Sequence, residues 1–385
     1  MNKRKICVVV TARPSYSRIK TALVAIREHP DLELQLVVAA SALLDRYGCA
    51  VEIIEEDGFE ISAKIFNLLE GENLTIMAKT TGLGLIETAG VFERLQPDMV
   101  VSIADRYETL ATATAAAYMN IPLVHVQGGE VTGSIDDKVR HAVTKLADIH
   151  LVASEGARDR VVRMGEHPES VHVTGCPSID LARPIQANGD LDFNPFDRYG
   201  GVGADFDLAE PYLVVLQHPV TTEHEEAKAH VEETLHAVCE SDHPVFWFWP
   251  NPDAGSDGTS KGIRAFRERH GLSHFRFFKN MEPDDFLKLL MNSGCLIGNS
   301  SVGIRECGFM GVPVVNIGSR QQNRDRAGNV VDVPYERHAI SAAIKKQIDH
   351  GPYESDHLYG DGGAGQRIAD LLASVPVIFG KQLTY

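Results

Sequence analysis

Short runs that are apolar at nearly every position alternate with helix-length amphipathic stretches along almost all of this 385-residue chain. Val8–Thr11, Leu34–Ala39, Met99–Ser102, Leu123–Val126 and Ile149–Ala153 are such runs in the first half. Tyr212–Gln217, Pro244–Phe248, Phe275–Phe278, Cys295–Asn299 and Val312–Ile317 continue the series. Ser17–Glu28, Tyr107–Met119 and Asp136–Ala147 lie between them and read as helices, as does Gly362–Leu372 near the end. A strand without alternation is buried on both faces, so the pattern predicts parallel sheets covered by helices on both sides. The rhythm lapses between about Pro177 and Glu210, where Pro184, Asn188-Gly189 and Gly200-Gly201-Val202-Gly203 predict a loop-rich joint. The chain is too long for one ordinary core. The expectation is an α/β protein with two doubly wound Rossmann-like domains facing a central cleft, residues 1–180 and 205–360, whose ligands sit at the carboxyl ends of the strands.

Composition removes several alternatives. No apolar run approaches the ~20 residues of a membrane span. The basic start Met1-Asn2-Lys3-Arg4-Lys5 and the apolar residues after it resemble a signal peptide only as far as Thr11, so a first buried strand fits better. Six cysteines without C-x-x-C spacing read as reduced core residues of a cytoplasmic protein, with no zinc site. A formal charge of −16 disfavours nucleic acid, although local Arg residues and helix N-termini still suit a phosphorylated ligand.

The stretch Ile297-Gly298-Asn299-Ser300-Ser301-Val302-Gly303-Ile304-Arg305-Glu306 predicts strand, tight turn and helix. Backbone N–H groups, the positive helix end and Ser hydroxyls there suit a phosphate, while Glu306 suits a ribose diol. Glu306 is five residues from Ser301, outside the spacing of a capping box. Other strand ends carry Arg13, Ser15 and Ser17; Asp105 and Arg106; Gln127, Glu130, Asp136 and Asp137; His218; and Asn251 and Asp253. Carboxylates with His and Arg at strand tips are what acid–base chemistry on a sugar needs. Structural alternatives stand beside these. Ser134 and Asp137 fit a capping box, Asp136 and Arg140 fit a helical ion pair, Asp105 and Arg106 fit a loop pair, and His218 fits an idle loop histidine. His125 and His150, on apolar strands, read as satisfied core histidines.

Taken together these residues resemble the hydrolysing UDP-N-acetylglucosamine 2-epimerases, the group that includes sialic-acid-forming and legionaminic-acid-type enzymes. The carriers are Asp105-Arg106, His125 to Gly133, Ile135-Asp136-Asp137 with Arg140-His141, Gly175 to Ser178, Gln217 to Thr222, Asp253 to Ser256, Gly298 to Ser301 and Asn316 to Gln321. The resemblance implies the two-domain glycosyltransferase-B type fold, with residues 361–385 packing back on the first domain. It implies UDP on the second domain, with Ser300 and Ser301 holding the diphosphate, Glu306 on the ribose, backbone near Met281 on the uracil, and Gly303 also among the binding residues. Arg13 and Arg320 would meet the phosphates, and Ser17, Arg106, Gln127, Asn251 and Asp253 complete the binding set. Asp105, Glu130, Asp136 and His218 would act on the sugar.

The implied chemistry is loss of the C2 proton with departure of UDP, then hydration of a 2-acetamidoglucal, without metal or cofactor. A UDP-sugar is the implied partner, and a homo-oligomer, dimer or tetramer, the implied state. Several family members carry Glu where this chain has Gln127; an amide is neither acid nor base, so that role is absent or falls to Glu130 or Asp136. A non-hydrolysing epimerase, a transferase of the same fold and a nucleotide-sugar sensor remain as alternatives. The sugar, UDP-N-acetylglucosamine or a 4-acetamido-6-deoxy analogue, stays open.

Overall fold

The computed structural model describes residues 3–70, 74–103, 106–132, 136–250, 255–270, 273–376 and 380–384, with the backbone alone for Arg46. Contacts divide the chain into a first unit, residues 1–130, 135–180 and 359–385, and a second, residues 131–134 and 181–358.

The sheet of the first unit contains β1 (Arg4–Val10), β2 (Leu32–Ala39), β3 (Ile61–Ile65), β4 (Met99–Ile103), β5 (Leu123–Val126), β6 (Ile149–Val152) and β7 (Val171–Val173). Its order is β3-β2-β1-β4-β5-β6-β7, parallel throughout. The residues of β1 alternate between two apolar layers. Ile6, Val8 and Val10 join a cluster with Leu23 and Ile26, whereas Cys7 and Val9 join one with Phe92 and Ala115. Double burial is why this strand reads as an unbroken apolar run.

The second sheet contains β8 (Val202–Gly203), β9 (Leu213–Leu216), β10 (Val245–Phe248), β11 (Phe275–Phe278), β12 (Cys295–Gly298), β13 (Val314–Ile317) and β14 (Val330–Val333). Its order is β14-β13-β12-β9-β10-β11-β8, with only β8 antiparallel. Strand order reverses between β1 and β4 in the first sheet and between β9 and β12 in the second. Open parallel sheets bind ligands at that reversal, beyond the carboxyl ends of the strands.

The stretch expected to be a loop-rich joint is more ordered than its composition suggests. It holds helices Pro177–Ala187 and Pro195–Tyr199 and the edge strand β8. Pro184 lies inside the first of these helices. Ile179, Ala182 and Ile185 recur at helical spacing and are all buried, so packing outweighs the proline penalty.

Four features tie the last described segment into the first unit. Helix Ala364–Ser374 packs against helix Lys20–Glu28, and a Cβ on Gly365 would lie 2.7 Å from the carbonyl carbon of Thr21. Asp180 accepts the N–H groups of Ala364 and Gly365 at 2.9 and 2.7 Å, capping that helix. The Arg4 guanidinium donates to the carbonyls of Leu372 and Val375. Further on, Lys381 reaches buried Glu166 at 2.7 Å, and Lys145 and His150 meet the same carboxylate at 2.5 and 3.2 Å. Burial alone would raise the Glu166 pKa, but the hydrogen bonds from His150, Lys145 and Lys381 hold it at about 2. Among the described residues no helix is long and apolar enough to cross a membrane.

Candidate active site

The reversal point of the second sheet is built by close backbone approach. Gly298 has φ 137°, and a Cβ there would lie 2.2 Å from the Leu216 carbonyl oxygen. Only glycine tolerates that approach. The next residue, Asn299, is fully buried; its N–H donates to the Leu216 carbonyl at 3.2 Å. Its side-chain Oδ1 accepts the His218 N–H at 2.7 Å, and its Nδ2 donates to the His218 carbonyl at 2.8 Å. Arg320 Nη1 and Gln321 Nε2 donate to the Asn299 carbonyl at 3.1 and 3.0 Å. His218, Asn299, Ser300 and Arg320 are thereby held in one hydrogen-bonded neighbourhood.

Ser300 caps the following turn, its Oγ accepting from the Val302 N–H. The single helix expected here is two short ones, Ser301–Ile304 and Glu306–Met310, interrupted at buried Arg305 with φ −96° and ψ −73°. One-turn helices align few peptide dipoles, so the hydroxyls and Arg320 matter more to an anion than a macrodipole does. Glu306 opens the second short helix, and its Oε2 is buried without a hydrogen-bond partner among the described residues. A buried carboxylate oxygen in that condition suits a hydroxyl donor. Gly303 lies where a Cβ would meet Val314 at 2.9 Å, which gives it a packing role. Met281 is buried between β11 and helix Pro283–Met291.

In the first unit the reversal lies between β1 and β4. Arg13 and Ser17 occupy the short helix Arg13–Ser17 immediately after β1, with Arg13 Nη1 3.4 Å from the Gly48 carbonyl. Beyond β4, Arg106 places Nε and Nη2 each 3.3 Å from the carboxylate of buried Glu108. Beyond β5, Gln127 takes a left-handed φ of 67°, and its Nε2 lies 2.9 Å from Cys176 Sγ. Its Oε1 is buried with no partner among the described residues. Glu130 is buried, and its carbonyl accepts from Arg140 Nη1 at 3.0 Å. Asp136 and Asp137 open helix Asp136–Leu146, and Asp137 pairs with Arg140, whose side chain is only 1% exposed. Helical spacing in the sequence offers Asp136 as a partner for Arg140; the structure gives Arg140 an ion pair with Asp137 at i,i+3 spacing.

Asp105, Asn251, Asp253 and Ser134 lie outside the described residues. His125 and His150 are core residues, contacting Thr144 Oγ1 at 3.1 Å and Glu166 Oε2 at 3.2 Å. Among the described residues Asp45, Cys49 and Glu52 bring three possible metal donor atoms within 4.8 Å of one another. Burial and the neighbouring carboxylates push the Cys49 thiol up to about 11, so the free thiol stays protonated at neutral pH. The sequence reading gave no role to Glu108 or Asn299. An amide directly after an apolar strand is the available signal for Asn299, and a carboxylate just ahead of helix Thr109–Tyr118 is the one for Glu108.

The family model for UDP-N-acetylglucosamine 2-epimerase matches residues 24–373. The hydrolysing UDP-N,N'-diacetylbacillosamine 2-epimerase of Legionella pneumophila is 33% identical, over 97% of this chain and 97% of that protein. The hydrolysing GDP/UDP-N,N'-diacetylbacillosamine 2-epimerase of Campylobacter jejuni is 32% identical, over 86% of this chain and 85% of that one. The crystal structure of the Neisseria meningitidis UDP-GlcNAc 2-epimerase bound to UDP-GlcNAc superimposes with a TM-score of 0.80 at 16% identity, covering 96% and 99% of the two chains. That likeness shows the fold, the glycosyltransferase-B type with two Rossmann-like domains. The chain belongs to the UDP-N-acetylglucosamine 2-epimerase family.

Proposed function

We propose that this chain is a hydrolysing 2-epimerase that converts a UDP-linked 2-acetamido sugar to UDP and the free C2-epimeric sugar. The observation that carries the reading is the gathering of His218, Ser300 and Arg320 around Asn299 where the second sheet reverses its strand order, with Arg13 and Arg106 following the two strands that flank the reversal of the first. Relatives named as hydrolysing enzymes, matching at 33% and 32% identity, favour this branch over the non-hydrolysing one.

The second unit holds UDP, with Ser300, Ser301 and Arg320 at the diphosphate, Glu306 at the ribose and the backbone of Met281 at the uracil. A carboxylate from the set Asp105, Glu130 and Asp136 takes the C2 proton as the C1–O bond breaks, and the electron pair leaves on UDP. The C2 proton is weakly acidic, so donors that stabilise the departing diphosphate carry much of the acceleration. Water then adds across the glucal, hydroxyl to C1 and proton to C2 on the opposite face, with His218 as the second acid–base group. No step requires a metal or nicotinamide. The first substrate to test is UDP-N,N'-diacetylbacillosamine, for which the Legionella and Campylobacter relatives are named; UDP-N-acetylglucosamine is the second.

The partner of this reading beyond the sugar is a second copy of the chain. Helix Leu74–Leu95 buries Thr80, Gly84, Thr88, Val91 and Phe92 while exposing Leu74 and Ile86 by 67% and 70%, and Tyr118, the last residue of helix Thr109–Tyr118, is 85% exposed. Large apolar side chains exposed to that degree suit a covered surface. None of the six cysteines forms a disulfide, which fits a cytoplasmic enzyme.

The test is turnover of both UDP-sugars in D2O, with the product identified by NMR. Free sugar carrying deuterium at C2, together with free UDP, is expected. An epimer still attached to UDP would place the chain on the non-hydrolysing branch, and retention of the original C2 hydrogen would exclude elimination.

A further inference from the structure

We infer that Asn299 is a positioning residue that fixes His218 against the diphosphate-binding turn. The inference rests on the proposed roles of His218 and of Ser300 and Ser301. β12 leaves the sheet at Gly298, whose partner on β9 is Leu216. Beyond that pair the ladder has no strand residue to offer His218. The Asn299 side chain supplies one: its amide meets both the N–H and the carbonyl of His218, at 2.7 and 2.8 Å. A primary amide is the side chain that matches a peptide unit in this way, with one acceptor and one donor in a plane.

Both ends of the bridge are fixed. Asn299 is 0% and His218 5% exposed, so neither hydrogen bond exchanges freely with water. The Asn299 main chain is anchored on Leu216 through its N–H and on Arg320 and Gln321 through its carbonyl. Ser300 follows directly and caps the turn. A single buried residue therefore relates the backbone of the proposed acid–base histidine, a phosphate-directed arginine and the serine turn. Loss of the bridge frees the His218 backbone by a fraction of an ångström to an ångström, a misplacement that costs about 10²-fold in turnover.

The experiment compares Asn299→Asp, Asn299→Ala, His218→Asn and the double variant His218→Asn/Asn299→Ala in the full chain. UDP release gives kcat and KM, and calorimetry gives the UDP Kd. Asn299→Asp keeps the size and the acceptor for the His218 N–H but loses the donor to its carbonyl, so it decides the matter if the alanine variant does not fold. We expect both Asn299 variants to lose about 10²-fold in kcat, with UDP Kd and KM within about threefold of wild type. The double variant should be no slower than His218→Asn alone, because residues that act as a unit are not additive. Three outcomes would overturn the inference: Asn299→Asp at wild-type kcat, multiplicative losses in the double variant, or UDP affinity falling in step with kcat. His218→Asn at wild-type rate would instead remove the role assigned to His218, and this inference with it.

Discussion

Replacing Glu166 by Gln should destabilise the first unit by about 3 kcal/mol at pH 7, and the deficit should shrink in acid. Glu166 is 3% exposed and receives Lys145, His150 and Lys381. Its pKa falls from 4.5 to about 2 in the folded chain. One pKa unit corresponds to about 1.36 kcal/mol, so the shift amounts to an upper bound near 3 kcal/mol. Removing one member of a buried ion pair costs about 3–5 kcal/mol. Here Lys145 and Lys381 keep 37% and 24% exposure and regain water, which favours the lower end. The sign follows from the depressed folded pKa: the contribution is complete above about 4.5 and disappears as pH falls towards 2. About 0.8 kcal/mol is already lost at pH 4 by the same linkage. A chain of two units need not unfold in one step. Native-state hydrogen exchange of the β6 amides is therefore the proper reading of local stability, taken for both proteins at pH 7 and pH 4. A difference below about 0.5 kcal/mol at pH 7, or one that does not change between the two pH values, would refute the reasoning.

Three other outcomes are expected. Asp137→Asn deprives buried Arg140 of a carboxylate partner and, with Asp137 itself 23% exposed, should cost about 3 kcal/mol, the low end for a buried pair and more than the loss of a helix cap; Asp136→Asn should leave the melting temperature nearly unchanged and remove most turnover, and equal melting temperatures for the two would contradict this. Glu306→Gln should weaken UDP binding by about tenfold, since the ribose donor then meets a neutral acceptor; calorimetric affinity equal to wild type would remove Glu306 from the nucleotide site. Ile86→Glu should reduce the sedimenting species to a single chain with turnover still measurable, and an unchanged sedimentation coefficient would direct attention away from helix Leu74–Leu95.

The strands legible in the sequence and those that were not differ in one physical respect. Every run read as a strand is an interior member of its sheet, enclosed by neighbours and covered by helices. The four strands passed over, β3, β7, β8 and β14, are the four sheet edges. Ile61–Ile65 alternates in burial and Val202–Gly203 is exposed, so neither carries the continuous apolar signal. Helix Pro177–Ala187 was hidden for the opposite reason, its breakers being louder than its buried Ile179, Ala182 and Ile185. Site residues were legible as types at strand ends. Their partners were not, because Asn299 meeting His218 is a contact across 81 positions that no local spacing encodes. The interruption at Arg305 was equally invisible, since nothing in Ser301 to Met310 is a poor helix former apart from its glycines.

The return of helix Ala364–Ser374 to the first unit sets the order in which this protein can be completed on the ribosome. Ile368, Ala369, Leu372 and Val375 belong to the same apolar cluster as Ile19, Leu23 and Ile26, and Arg4 waits 368 positions for the carbonyl of Leu372. Until those last turns emerge, the face of helix Lys20–Glu28 stands open to water, although its strands were made first. The second unit, by contrast, has all of residues 181–358 in hand before that helix appears. The first unit is therefore begun before the second and finished after it, and a chain cut shortly before Ala364 yields a complete second unit and a first unit with its apolar side uncovered.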